Sequence, residues 1–71
     1  MIIAEIEKNR QEKIIIEVGE FHGHQTVTCR VWWETPAGTW VPVKTKGIAF
    51  TQKTILHVIE GLEAAAKELK A

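Results

Sequence analysis

Residues 2–8 alternate, with Ile2, Ala4 and Ile6 on one side and Ile3, Glu5 and Glu7 on the other, the period of a half-buried strand. Asn9-Arg10-Gln11-Glu12 is polar throughout and predicts a turn. Residues 13–21 predict a second strand, in which Ile14, Ile16 and Val18 share a face. His22-Gly23-His24 turns the chain. Residues 25–33 predict a third strand, rich in β-branched and aromatic side chains. Glu34-Thr35-Pro36-Ala37-Gly38 is a Pro/Gly loop. Residues 39–50 predict a fourth strand, Thr39 to Lys46, followed by Gly47 and a short extension, Ile48-Ala49-Phe50. From Thr51, a fitting N-cap, the period becomes helical. Ile55, Ile59, Leu62, Ala66 and Leu69 recur at spacings of four, three, four and three, one stripe along a helix. Leu56, Val58 and Ala65 widen that stripe beyond what one small sheet requires. The excess fits either a broad core-facing stripe or contact with a partner subunit's helix.

The register can be argued from the pattern, because a slip of one residue would send every apolar side chain to the wrong face. A two-residue type II′ turn at Gly23-His24 pairs Val18 with Cys29, Ile16 with Val31 and Ile14 with Trp33, an apolar face for the helix. The other face then pairs Phe21 with Thr26, Gly19 with Thr28, Glu17 with Arg30 and Ile15 with Trp32. Taking 34–38 as the next loop sets Val31 against Val41 and Cys29 against Val43. It also sets Trp32 beside Trp40, Thr28 beside Lys44 and Thr26 beside Lys46. The second face thus carries Phe21, Arg30, Trp32, Trp40, Lys44 and Lys46, rings interleaved with cations. Unpaired bases stack on exposed rings, and their phosphates need positive charge. A second apolar layer or a subunit contact would use the same rings equally well.

Size sharpens the question of assembly. A chain of 71 residues buries only about 60% of the surface its unfolded form exposes. Cys29 is the only cysteine and no Cys/His set has zinc spacing, so neither disulfide nor metal can staple it. A homodimer is expected. The nine Lys and Arg balance nine Asp and Glu, which argues against a chain basic all over but not against a local patch. Residues 25–53 hold Arg30, Lys44, Lys46 and Lys53 against Glu34 alone, whereas 57–71 hold three glutamates and two lysines. Phosphate, if bound, meets the middle of the chain. The longest aliphatic run, Ile14-Ile15-Ile16, falls far short of the roughly 18 residues a membrane span needs. With no secretion signal and one unpaired cysteine, a cytoplasmic protein is expected, with no membrane partner.

Glu20-Phe21-His22-Gly23-His24, the strand running to Arg30-Val31-Trp32-Trp33, the Pro36/Gly38 turn and Lys46-Gly47-Ile48-Ala49-Phe50 before a helix together resemble the positive cofactor 4 transcriptional coactivator family, from about Lys13 to Leu69. The resemblance implies an α+β fold of ββββα order, a four-stranded antiparallel, strongly curved sheet followed by one C-terminal helix, in a single domain over 1–71 that assembles as a homodimer. It implies single-stranded DNA as the partner, held in channels over the sheets, with the first-turn aromatic and the Trp closing the next strand stacking on bases. Those roles fall on Phe21 and Trp33, with Lys46 and Arg30 on the backbone. Strand alternation instead turns Trp32 outward, so either tryptophan could be the stacking ring unless a bulge reconciles them. Gly19, His22, His24 and Thr45 stand where the family tends to be basic, so modest affinity at neutral pH is expected. The fourth strand is one residue longer, which leaves Trp40 without a counterpart. The lack of the Ser/Lys-rich leader of eukaryotic members resembles the bacterial or phage form, for which a cytoplasmic, nucleoid-associated protein is expected.

Candidate nucleic-acid contacts are therefore Phe21, His22, His24, Arg30, Trp32, Trp33, Trp40, Lys44 and Lys46. Ile55, Ile59, Leu62 and Ala66 are candidates for the dimer interface. RNA is the alternative strand, and transcription or replication proteins are further candidate partners. His22 and His24 lack a third ligand, so no metal is expected. Cys29 lacks an ordered His/Asp partner, and there is no phosphate loop or carboxylate pair. No cofactor and no catalysis are expected.

Overall fold

In a computed structural model describing residues 1–69, four strands precede one helix: β1 (Ile2–Glu7), β2 (Glu12–Phe21), β3 (His24–Glu34), β4 (Trp40–Thr51) and α1 (Gln52–Glu68). The strands form one antiparallel sheet in the order β1-β2-β3-β4. Every element predicted from the hydrophobic pattern is present. The fourth strand is continuous through Gly47 rather than broken there.

The β2–β3 turn is His22-Gly23, not Gly23-His24. Both residues have positive φ, 50° and 78°, the signature of a type I′ turn rather than type II′. Histidine is one of the few side chains enriched in that region. Phe21 therefore pairs with His24, Gly19 with Thr26, Ile16 with Cys29 and Ile14 with Val31, two residues away from the register expected. A slip of two preserves parity, so the two faces of the hairpin survive intact.

The fourth strand departs further. Near the loop Trp32 pairs with Pro42, Trp33 with Val41 and Glu34 with Trp40. Beyond an irregularity between Arg30 and Trp32, Arg30 pairs with Gly47, Cys29 with Ile48 and Thr26 with Thr51. Only Val31 lies between the two registers on β3, against residues 43–46 on β4. Those three surplus residues, an odd number, reverse the inward and outward sense of β4. Cys29 consequently faces Ile48 rather than Val43, and Thr26 faces Thr51 rather than Lys46. A second irregularity lies between Ile2 and Ala4 in β1. Such bulges bend and twist a strand.

One face collects Ile6, Ile14, Ile16, Val18, Val27, Cys29, Val31, Ile48 and Phe50. The helix does not cover it, contrary to expectation. Ile55 settles only at a corner, among Val18, Val27 and Phe50, and every side chain of α1 stays at least partly exposed. Ile48 is left 56% exposed on the sheet, and Leu62 is 65% exposed on the helix. Thr51 is the N-cap: its N–H donates to Thr54 Oγ1 at 3.2 Å. The most buried side chain is Ile15 at 3% exposure, on the opposite face. Glu5, Lys13, Glu17, Arg30 and Trp32 share that face around it, and their long side chains shelter it.

The subunit is open. Its radius of gyration is 13.9 Å, where a compact chain of this length has roughly 11 Å. Its accessible surface is 6011 Å², where a compact monomer of this mass exposes roughly 4,450 Å².

Candidate nucleic-acid interface

Phe21 closes β2 with its ring 67% exposed. His22 packs against it edge to face, with centroids 4.1 Å apart. Behind Phe21 the surface is shallow, lined by Gly19, Glu20, Thr26, Thr28 and Ala49, with one carboxylate and no cation. His24 is exposed across the turn. This end of the hairpin offers a bare ring, two imidazoles and hydroxyls.

Trp32 and Trp33 point to opposite faces, because β2 and β3 pair without interruption past both: Lys13 opposes Trp32 and Glu12 opposes Trp33. The irregularity sits on β4 and does not turn Trp33 to the side of Phe21. Trp32 is half-buried, and its indole N–H is buried without a partner among the described residues. Trp33 is 40% exposed. Alternation predicts Trp33 to be a core residue on the apolar side, and that inference fails for a physical reason: the helix sits at the far corner and never reaches it.

Lys46 is the principal correction. Sequence register put it on the face of Phe21, in one row with Thr26, but the surplus residues of β4 carry it to the face of Trp33. There Trp33, Lys46, Glu12, Val43, Asn9 and Gln11 line one cleft. Lys46 Nζ stands 3.6 Å from Glu12 Oε2. The other carboxylate oxygen, Oε1, accepts from Asn9 Nδ2 at 2.8 Å and from Lys8 Nζ at 3.0 Å. Hydrogen bonds from Asn9 and Lys8, with the charges of Lys8 and Lys46, lower the Glu12 pKa from 4.5 to about 2.

Arg30 is built into the bulge. Its Nη1 donates to Val43 O at 3.1 Å and to Lys44 O at 2.8 Å, and a Cβ on Gly47 would fall inside its guanidinium. Arg30 thus holds the segment that carries Lys44 and Lys46. Lys44 itself is exposed. Trp40 lies half-buried on the face of Trp32, with Lys13 Nζ 4.4 Å from its ring centroid in a cation–π contact. That lysine also meets Glu5 Oε1 at 2.7 Å, so the tryptophan on this side is already occupied. Trp32 and Trp40 do not face each other across the strands.

The structure therefore separates what the sequence grouped. Phe21 is at one end and on one face, Trp33 and Lys46 at the other end and on the opposite face. Trp33 lies nine residues along β3 from His24, the cross-strand partner of Phe21, roughly 30 Å of extended chain. Glu12, Asn9, Gln11 and Lys13 were missed, having been read as turn and strand edge. The signal that finds Glu12 is a type I′ turn at His22-Gly23, whose register, unlike that of a Gly23-His24 turn, sets Glu12 directly opposite Trp33. Among the described residues no three His, Cys, Asp or Glu side chains gather at metal-binding distance.

No family model matches the chain, and no curated protein does. Solved structures do. A PC4 homolog from Burkholderia pseudomallei superposes with a TM-score of 0.86 at 28% identity, covering 97% of this chain and 92% of that one. The chain is PC4-like. A second crystal form of the same Burkholderia protein gives a TM-score of 0.83 at 27% identity, over 93% of this chain and 96% of that one. In fold the PC4-like chain also matches a bacteriophage T5 homolog of the eukaryotic transcription coactivator PC4, implicated in recombination-dependent DNA replication. That likeness has a TM-score of 0.73 at 21% identity, over 96% of this chain and 77% of that one. No helix among the described residues is long and apolar enough to cross a membrane.

Proposed function

We propose that this PC4-like chain is a homodimeric single-stranded-DNA-binding protein, an accessory factor in transcription, replication or recombination that catalyses no reaction itself. The observation that carries the reading is the exposure of two large rings, Phe21 at 67% and Trp33 at 40%, each at an open end of the sheet. Unpaired bases stack on such rings, whereas duplex DNA hides its base faces. Lys46 beside Trp33, with Lys44 close in sequence, supplies the phosphate charge. Phe21 and Trp33 lie on opposite faces, so a strand that touches both passes round a sheet edge or from one subunit to its partner.

Dimerisation accounts for the open shape. The surface in excess of a compact monomer is roughly 1,500 Å² per subunit, above the roughly 800 Å² per partner of a standard interface. It lies where apolar side chains stand uncovered, Ile48 on the sheet and Ile59 and Leu62 on the helix. The protein is proposed to work inside the cell, beside the nucleic acid.

Fluorescence anisotropy with a labelled single-stranded oligonucleotide at two or more salt concentrations tests the reading, with duplex DNA and RNA of the same sequence as comparisons. Single strands should bind more tightly than duplex. Lys46→Ala should weaken binding to all sequences alike and flatten the log–log salt dependence by about 0.7. If wild-type protein binds neither DNA nor RNA, the exposed rings serve a protein partner instead.

A further inference from the structure

Resting on the single-strand reading above, the geometry points to Glu12 as a base-selecting residue, which makes the Trp33 cleft prefer guanine over thymine. Glu12 and Trp33 are direct cross-strand neighbours on one face of the β2–β3 ladder. Such pairs hold their Cβ atoms about 5 Å apart. A base lying on the indole therefore presents its edge to this carboxylate. Lys46 Nζ, 3.6 Å from Oε2, stands where the phosphate of the same nucleotide would arrive. The three features address three parts of one nucleotide: indole for the base face, carboxylate for its edge, ammonium for its backbone.

The carboxylate is held in its anionic form, so it can only accept hydrogen bonds. Its Oε1 is anchored by Asn9 and Lys8, while Oε2, among the described residues, meets Lys46 alone and at the longer distance. When a phosphate draws Lys46 away, Oε2 needs another donor. Guanine offers two adjacent donors on its Watson–Crick edge, N1–H and the N2 amino group. Thymine offers one N–H between two carbonyl oxygens, and both carbonyls repel a carboxylate. Cytosine and adenine, with one exocyclic amino group each, should fall between.

The probe is a labelled thymine tract against the same tract with one central guanine, and a third version with inosine, which lacks the N2 amino group. Wild-type protein should bind the guanine strand about five- to tenfold more tightly than the all-thymine strand, the low end of bidentate base discrimination. Inosine should lose at least half of that preference on a logarithmic scale. Glu12→Gln should bring the guanine and thymine strands to within twofold of each other, because a primary amide pairs with either edge. The inosine comparison needs no variant, so it stands even if Glu12→Gln folds poorly. Equal binding of inosine and guanine strands by wild-type protein overturns the assignment. So does a Glu12→Gln variant that binds both strands more tightly but keeps the guanine preference, since Glu12 would then merely compete for Lys46. Wild-type protein that binds thymine and guanine strands equally refutes base selection while leaving single-strand binding intact. Failure to bind any strand removes the function and this inference together.

Discussion

The guanidinium of Arg30 occupies the space that a side chain on Gly47 would fill, and from there its Nη1 reaches the carbonyls of Val43 and Lys44. The pair fixes the point at which β4 absorbs its surplus residues. Gly47→Ala should expel the guanidinium and cost the charge-assisted bonds, about 1–3 kcal/mol, read as a lower urea midpoint. Affinity for oligonucleotides should fall too, because Lys46 precedes Gly47 directly. An alanine variant as stable as wild type would show that Arg30 does not hold this bulge.

The two tryptophans should separate stability from binding. Trp33→Ala removes an exposed ring, so it should lower affinity about five- to a hundredfold, the range for one stacked base, with a small change in melting temperature. Trp32→Ala removes a half-buried ring and should destabilise by about 2–4 kcal/mol, somewhat below a fully buried aromatic. Trp32→Phe should cost much less than Trp32→Ala, because it keeps a ring and deletes a buried N–H that has no partner among the described residues. Thermal melts beside anisotropy titrations on the three variants check the division. Loss of folding in Trp33→Ala beside a stable Trp32→Ala would overturn the division, since it reverses the order of the two exposures.

Assembly can be read without unfolding the subunit. Leu62 is 65% exposed on its own subunit, so Leu62→Glu should leave an isolated subunit intact. In a dimer that buries the helix stripe, the same charge would be unpaired and desolvated at a cost of several kcal/mol. Sedimentation at micromolar concentration should show a wild-type dimer and a dissociated variant. A wild-type monomer, or a Leu62→Glu dimer of unchanged strength, would remove the helix stripe from the interface.

Acid should expose the role of the Glu12 cluster. Its folded pKa, lowered to about 2 by Asn9, Lys8 and Lys46, lies below the unfolded value. The unfolded chain therefore binds the proton first as pH falls, and the stabilisation present above about pH 4.5 drains away between there and pH 2. Urea midpoints should decline over that window in wild type and decline less in Glu12→Gln, which carries no titrating group at this position. Parallel curves for the two proteins would mean the cluster adds nothing to acid stability.

The alternation of Ile14, Ile16 and Val18 against Phe21 and Ile15 was enough to define both faces of β2 and β3, because side-chain direction has period two and a register slip of two leaves it unchanged. The order of the elements, the helix start at Thr51 and the resemblance carried by Phe21, Trp33 and Lys46 were legible in the same way, from local pattern alone. Tertiary structure decided the rest. His22 took a left-handed conformation and moved the turn by one position. Arg30 settled over Gly47 and let β4 take up three residues that Val43-Lys44-Thr45-Lys46 does not announce, since those residues alternate as any strand would. An odd surplus reverses a strand, and that is why Lys46 stands with Glu12 and Trp33 rather than with Phe21. Whether Trp33 is core or surface depended on how far the helix reaches across the sheet, a question of packing between distant segments that no local periodicity encodes.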